Sequence, residues 1–144
     1  MIMQQKNIVE ATIKWIGTPY RHQASTIGAG CDCLGLLRGV WREMFGEEPM
    51  KMPPYRADWR DKKNAGALQM AADKYLIKSE AELQAGDVLL FKMISSLPPK
   101  HCAIMISNST FVHAQEQIGV VEAPLSDAWK KHIFAIYKFP KIAK

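Results

Sequence analysis

Apolar residues follow two regimes along the chain: helical spacing in the first half, and short continuous or alternating runs in the second. Val9, Ile13 and Ile16 recur at helical steps from about Asn7, which predicts an amphipathic helix with these side chains on its buried stripe. Gly17-Thr18-Pro19 closes it, because proline cannot continue a helix and restricts the residue before it. A loop follows to Gly30, its Gly28-Ala29-Gly30 suiting a turn or a close backbone approach. From Cys33, the residues Leu34, Leu37, Val40, Trp41 and Met44 fall at i, i+3, i+4 steps. They predict a helix that ends near Gly46, central to the core. Residues 49–60 carry three prolines and little periodicity, an ordered surface loop or insertion rather than a linker. Leu68, Ala71, Ala72, Tyr75 and Leu76 then predict a further amphipathic helix.

After Ala85-Gly86 the period changes. Asp87-Val88-Leu89-Leu90-Phe91 is too short and too continuously apolar for a helix between turn signals, and reads as a buried strand. Four more strands are expected near 101–106, 110–114, 118–122 and 133–139. Helices followed by antiparallel strands with short connections give an α+β fold, helices packed on a central antiparallel sheet, rather than a βαβ doubly wound one. With 144 residues, 48% of them hydrophobic, the chain is expected to form one globular domain over 1–144 that needs no disulfide staples.

The N-terminal residues lack the apolar run of a signal peptide and no window reaches the length of a membrane span. Synthesis in a reducing cytoplasm is the corresponding expectation. The net charge of +5 reads as surface solvation. The lysines that gather at 130, 131, 138, 141 and 144 lack the aromatic interleaving of a nucleic-acid groove.

Candidate chemistry centres on Gly30-Cys31-Asp32-Cys33-Leu34-Gly35. A cysteine in the first turn of a helix faces unpaired backbone N–H groups and the positive end of the helix dipole, both of which favour thiolate. Cys33 therefore outranks Cys31 as a nucleophile. Asp32 is a good N-cap that would fix the cysteine's direction, and the Cys33 N–H is placed to help hold an oxyanion. In His101-Cys102-Ala103-Ile104-Met105-Ile106, alternation sets His101 and Ala103 on one face and Cys102, Ile104 and Ile106 on the other. A three-residue hairpin loop at Ser107-Asn108-Ser109 pairs Ile106 with Thr110, so His101 lies diagonal to His113 on one face, roughly 7–8 Å away at Cα. His101 then acts as base and His113 as its orienter. Both are expected to project toward the first turn of the Cys33 helix, with Cys102 in the opposite, apolar layer. His22 and His132 are expected to face solvent. Zinc is the chemical competitor, but Cys31-Asp32-Cys33 is one residue short of a C-x2-C knuckle, and no metal site is expected.

These residues resemble those of a known family, the NlpC-type cell-wall cysteine peptidases, circularly permuted relatives of the papain-like fold. The resemblance is carried by Gly17-Thr18-Pro19-Tyr20, Asp32-Cys33-Leu34-Gly35-Leu36, Ala85 to Phe91, His101-Cys102-Ala103-Ile104 and Phe111-Val112-His113-Ala114, in the family's order. It implies Cys33 as nucleophile, His101 as general base and acid, His113 as the third, orienting residue, and the Tyr20 hydroxyl beside the thiol. It also implies hydrolysis of peptidoglycan stem peptides, typically between D-glutamate and a diamino acid, without a metal or organic cofactor. Leu34 stands where many members carry serine, and Ser107-Asn108-Ser109 where a glycine turn is usual. With Pro53-Pro54-Tyr55 and Ala123-Pro124-Leu125, the chain looks most like the branch encoded with phage tails and gene transfer particles. That branch implies tail proteins as partners and delivery to the wall by a particle or by lysis. Two alternatives remain: a catalytically idle structural or wall-binding tail component, and a Cys/His amidase or acyltransferase.

Overall fold

The computed structural model describes residues 2–49 and 66–142. Helix α1 (Met3–Ile13) leads through a small hairpin, β1 (Ser25–Thr26) and β2 (Gly30–Cys31), into α2 (Cys33–Phe45). After α3 (Ala67–Tyr75) come β3 (Ile77–Lys78), β4 (Val88–Phe91), β5 (His101–Met105), β6 (Thr110–Gln115) and β7 (Gly119–Pro124). The one-turn helix α4 (Asp127–Lys130) and β8 (Ile133–Lys138) complete the order. Strands β3 to β8 form one sheet ordered β3-β8-β4-β5-β6-β7, antiparallel at every pairing. The expected loop at 49–60 lies outside the described residues from residue 50 onward.

Both faces of the sheet are covered, unequally. Val88, Leu90, Cys102, Ile104, Val112 and Tyr137 pack with α1, α2 and α3 in the larger core. Leu89, Phe91, Ala103, Met105 and Phe111 form a smaller layer on the other face, against which Trp129 of α4 packs. Strand β4, buried at all four positions, is apolar throughout because each of its faces meets a core.

Helix α2 buries Cys33, Leu34, Leu36, Leu37 and Val40 and ends at Gly46, as its spacing predicts. Helix α1 departs from expectation. It starts at Met3 rather than near Asn7, and Ile13 and Ile16 are exposed. The buried stripe is Ile8, Ala11, Thr12 and, just beyond the helix, Trp15. A Cβ at Gly39 of α2 would run into the Trp15 ring, so the indole sits directly on the α2 backbone. That contact decides which of two overlapping apolar stripes of α1 turns inward.

Strands β5 and β6 pair as Ile104↔Val112 and Met105↔Phe111, the register that a three-residue loop imposes. It places His101 and His113 on one face. Beyond Ile104 the two strands part, whereas β5 stays with β4 as far as Phe91↔His101. The assignment of layers is the reverse of that expected. Cys102 points into the helix-covered core with Ile104, and the histidines share the face of Phe91, Phe111 and Trp129.

Candidate active site

The start of α2 is locked to the loop before it by one carboxylate. Asp32, 2% exposed, accepts from the Gly35 N–H through Oδ1 at 2.7 Å and from the Gln23 N–H through Oδ2 at 2.7 Å. Ser25 donates its hydroxyl to the Gly35 carbonyl at 2.6 Å, and Arg42 reaches the Ser25 carbonyl at 2.6 Å. A Cβ at residue 35 would collide with the Ala24 carbonyl oxygen. Only glycine lets the loop lie against the first turn, which holds Cys33 in a fixed direction.

Cys33 is buried, and its Sγ lies 3.8 Å from the Lys100 carbonyl. Helix α2 and the histidines are on opposite faces of the sheet, so the thiol meets His101 around the end of β5 rather than across one layer. The Cys33 thiol is lowered from its ordinary range to about 5. Hydrogen bonding from Cys102 contributes most; burial opposes it, and the hydrogen bond and charge of His101 reinforce it. Cys102, whose Sγ also lies 3.1 Å from the Cys33 carbonyl, is pushed well up by its hydrogen bond to Cys33 and by burial. Cys31 is pushed up to about 12, by burial first and then by the charges of Asp32 and Cys33. Of three buried free thiols, Cys33 is the one suited to carry negative charge near neutrality.

His101 Nε2 and His113 Nδ1 are 2.8 Å apart, which leaves Nδ1 of His101 for the thiol. His113, 1% exposed, is lowered to about 4 by burial and by the neighbouring charge of His101, and is therefore neutral at ordinary pH. Trp129 closes the rings from above, its centroid 6.0 Å from His101 and stacked, 5.3 Å from His113 and edge-on. Tyr20 bridges Cys31 through its backbone. Its phenol is raised above the ordinary range by burial and then by the charges of Cys33 and Asp32, so it stays a hydrogen-bond donor.

These groups line a cleft of about 200 Å³ that also takes in His22, Met93, Lys100 and Glu116. The structure thus brings Cys33, His101, His113, Tyr20 and Asp32 together. His22 is exposed but not merely solvated, its Nδ1 3.8 Å from Asp32 Oδ2. His132 is partly buried, with Nδ1 3.3 Å from the Lys92 carbonyl. Trp129, Lys100 and Glu116 escaped the sequence reading. For Trp129 the available signal was Ser126, whose hydroxyl caps α4 at the Trp129 N–H. An apolar hollow of about 60 Å³ between α2 and α3, lined by Leu37, Trp41, Leu68 and Tyr75 among others, holds no thiol or imidazole. Among the described residues, no three His, Cys, Asp or Glu side chains gather as a metal site, and no helix is long and apolar enough to cross a membrane.

The NlpC/P60 family model matches residues 17–138. The murein DD-endopeptidase MepS/murein LD-carboxypeptidase of Escherichia coli K12 is 29% identical over 88% of this chain and 58% of its own. The probable endopeptidase NlpC of the same strain is 30% identical over 83% of this chain and 68% of its own. The chain thus spans little more than half the length of the first of these relatives. Among solved structures, the NlpC/p60 domain of the peptidoglycan hydrolase SagA has a TM-score of 0.60 at 25% identity, over 92% of this chain and 97% of its own. An NlpC/P60 family protein from Bacillus cereus ATCC 10987 has a TM-score of 0.68 at 17% identity, over 94% of this chain and 40% of its own.

Proposed function

The chain belongs to the NlpC/P60 family, and we propose that it is a cysteine endopeptidase that hydrolyses peptidoglycan stem peptides, at the bond between D-glutamate and a diamino acid. The observation that carries this reading is the Cys33 thiol at the start of α2 in one cleft with His101, whose Nε2 lies 2.8 Å from Nδ1 of the buried His113. The relatives named as murein and probable endopeptidases support the substrate class.

In this reading His101 takes the Cys33 proton on Nδ1, and the thiolate attacks the scissile carbonyl. The Cys33 N–H, which has no partner among the described residues, helps hold the oxyanion, and the Tyr20 phenol is a second donor at the same cleft. His101 returns its proton to the leaving amine, and water then hydrolyses the thioester with His101 as base. His113 accepts the Nε2 hydrogen throughout and keeps the imidazole in its productive orientation. Asp32 acts through Cys33, as a positioning residue. Delivery by a phage-like particle belongs to the same proposal and rests on the sequence resemblance.

Mass spectrometry of defined muropeptides after incubation with wild type and Cys33→Ala tests the proposal. The expected products end at D-glutamate and begin at the diamino acid, and appear only with wild type. Cleavage between two D-centres, or release of the stem from the sugar, would replace it with a different specificity, and no cleavage with an intact thiol would favour an idle tail component.

A further inference from the structure

Most ionisable groups lining the cleft already have a task. Asp32 accepts two backbone N–H groups, and the histidines hold each other. Lys100 is different. It precedes the base, its carbonyl lies 3.8 Å from the Cys33 sulfur, and the residue is partly exposed. Among the described residues no carboxylate pairs with its ammonium. Among the described residues lining the cleft, the other accessible charge of fixed sign is Glu116, which sits with Tyr20 and raises the phenol's pKa through its own charge.

Lys100 therefore lines the cleft with no protein counter-charge for its ammonium among the described residues. A substrate anion would supply one. The Lys100 carbonyl lies 3.8 Å from the attacking sulfur and the residue lines the same cleft, so its four-carbon stem is long enough to reach a group on the residue that supplies the attacked carbonyl. We propose that Lys100 is a specificity-determining residue that pairs with a carboxylate on the residue supplying the scissile carbonyl. A free α-carboxylate occurs there when a glutamate is linked through its side chain. The proposal rests on the peptidase reading above for the identity of the peptide, and it predicts preference for the acid over its carboxamide.

The test uses two synthetic peptides, L-alanyl-γ-D-glutamyl-diaminopimelate and the same peptide with the glutamyl α-carboxylate amidated. Calorimetric titration of Cys33→Ala, with and without Lys100→Met or Lys100→Arg, measures binding apart from turnover. The acid is expected to bind about tenfold more tightly than the amide, the range of a hydrogen bond to a charged group. Lys100→Met is expected to bring that ratio close to one and Lys100→Arg to keep it. With Cys33 restored, the same loss is expected in KM rather than kcat. Equal binding of the two peptides, a preference that survives Lys100→Met, or no binding of either overturns the inference. Selective binding without cleavage by wild type would overturn the peptidase reading and leave the role of Lys100 standing.

Discussion

His101 Nε2 and His113 Nδ1 stand 2.8 Å apart where β5 and β6 separate, and this contact determines what each ring has left to offer. With Nε2 engaged, His101 presents Nδ1 to Cys33. With its pKa lowered to about 4 by burial and by His101, His113 cannot compete for the proton that leaves the thiol. The proton therefore stops at His101, between the thiol and the leaving group, which is where general acid catalysis needs it.

Substitutions at the two histidines are expected to differ in depth. His101→Ala removes proton transfer itself and is expected to lower kcat by about 10³-fold or more. His113→Asn keeps a carbonyl that can accept the Nε2 hydrogen, and is expected to lose roughly 10- to 100-fold. His113→Phe, which cannot accept, should fall well below the asparagine variant. Steady-state rates on one muropeptide rank them, and equal activity in the asparagine and phenylalanine variants would remove the orienting role.

Iodoacetamide alkylation of Cys33 is expected to rise with pH through a midpoint near 5 and to outpace that of Cys31, whose thiol is pushed up to about 12. Hydrogen bonding from Cys102 is the largest cause of the low value, so Cys102→Ala is expected to move the midpoint upward. The Cys102 thiol has one proton and also lies 3.1 Å from the Cys33 carbonyl. An unmoved midpoint would mean that the proton stays on that carbonyl. Peptide mass mapping of the labelled protein across pH reads both results.

The strands, their register and helix α2 were legible because each rests on a local rule: alternation for faces, the three-residue loop at 107–109 for register, and the i, i+3, i+4 stripe from Leu34 to Met44 for the helix. The layer assignment was not. Parity shows that His101 and His113 share a face and that Cys102 does not, but it is symmetric as to which face the helices cover. Packing of α1 and α2 on Cys102, Ile104 and Val112 breaks that symmetry. The buried stripe of α1 was missed for a related reason, since it is selected by the non-local contact of Trp15 with Gly39. Trp129 lies in a four-residue helix, too short to leave a period, and its ring contacts come from elements that meet only in the folded sheet.

Burial of His113 should also appear as a pH dependence of stability. Its folded pKa, about 4, lies below the ordinary 6.5, so between these values the unfolded chain binds more protons than the folded one. This contribution is then fully present above pH 6.5 and is lost as pH falls toward 4, by about 3 kcal/mol. Urea unfolding of wild type and His113→Asn at pH 7 and pH 4.5 is expected to show a smaller loss in the variant. Parallel losses would place the buried proton deficit elsewhere.

Asp32 has two effects of opposite sign on the site, and one substitution separates them. Its carboxylate accepts the Gly35 and Gln23 N–H groups at 2.7 Å each, which stabilises the helix start, while its negative charge works against the thiolate of Cys33. Asparagine keeps one acceptor oxygen and turns an amide N–H toward the second donor, leaving a buried hydrogen bond unmade at a cost of about 1–3 kcal/mol. Asp32→Asn is therefore expected to unfold at lower urea concentration. With the opposing charge gone, its Cys33 alkylation midpoint is expected to move to more acid pH. A midpoint that rises as stability falls would mean that Asp32 lowers the thiol's pKa by positioning it, and that this outweighs the charge.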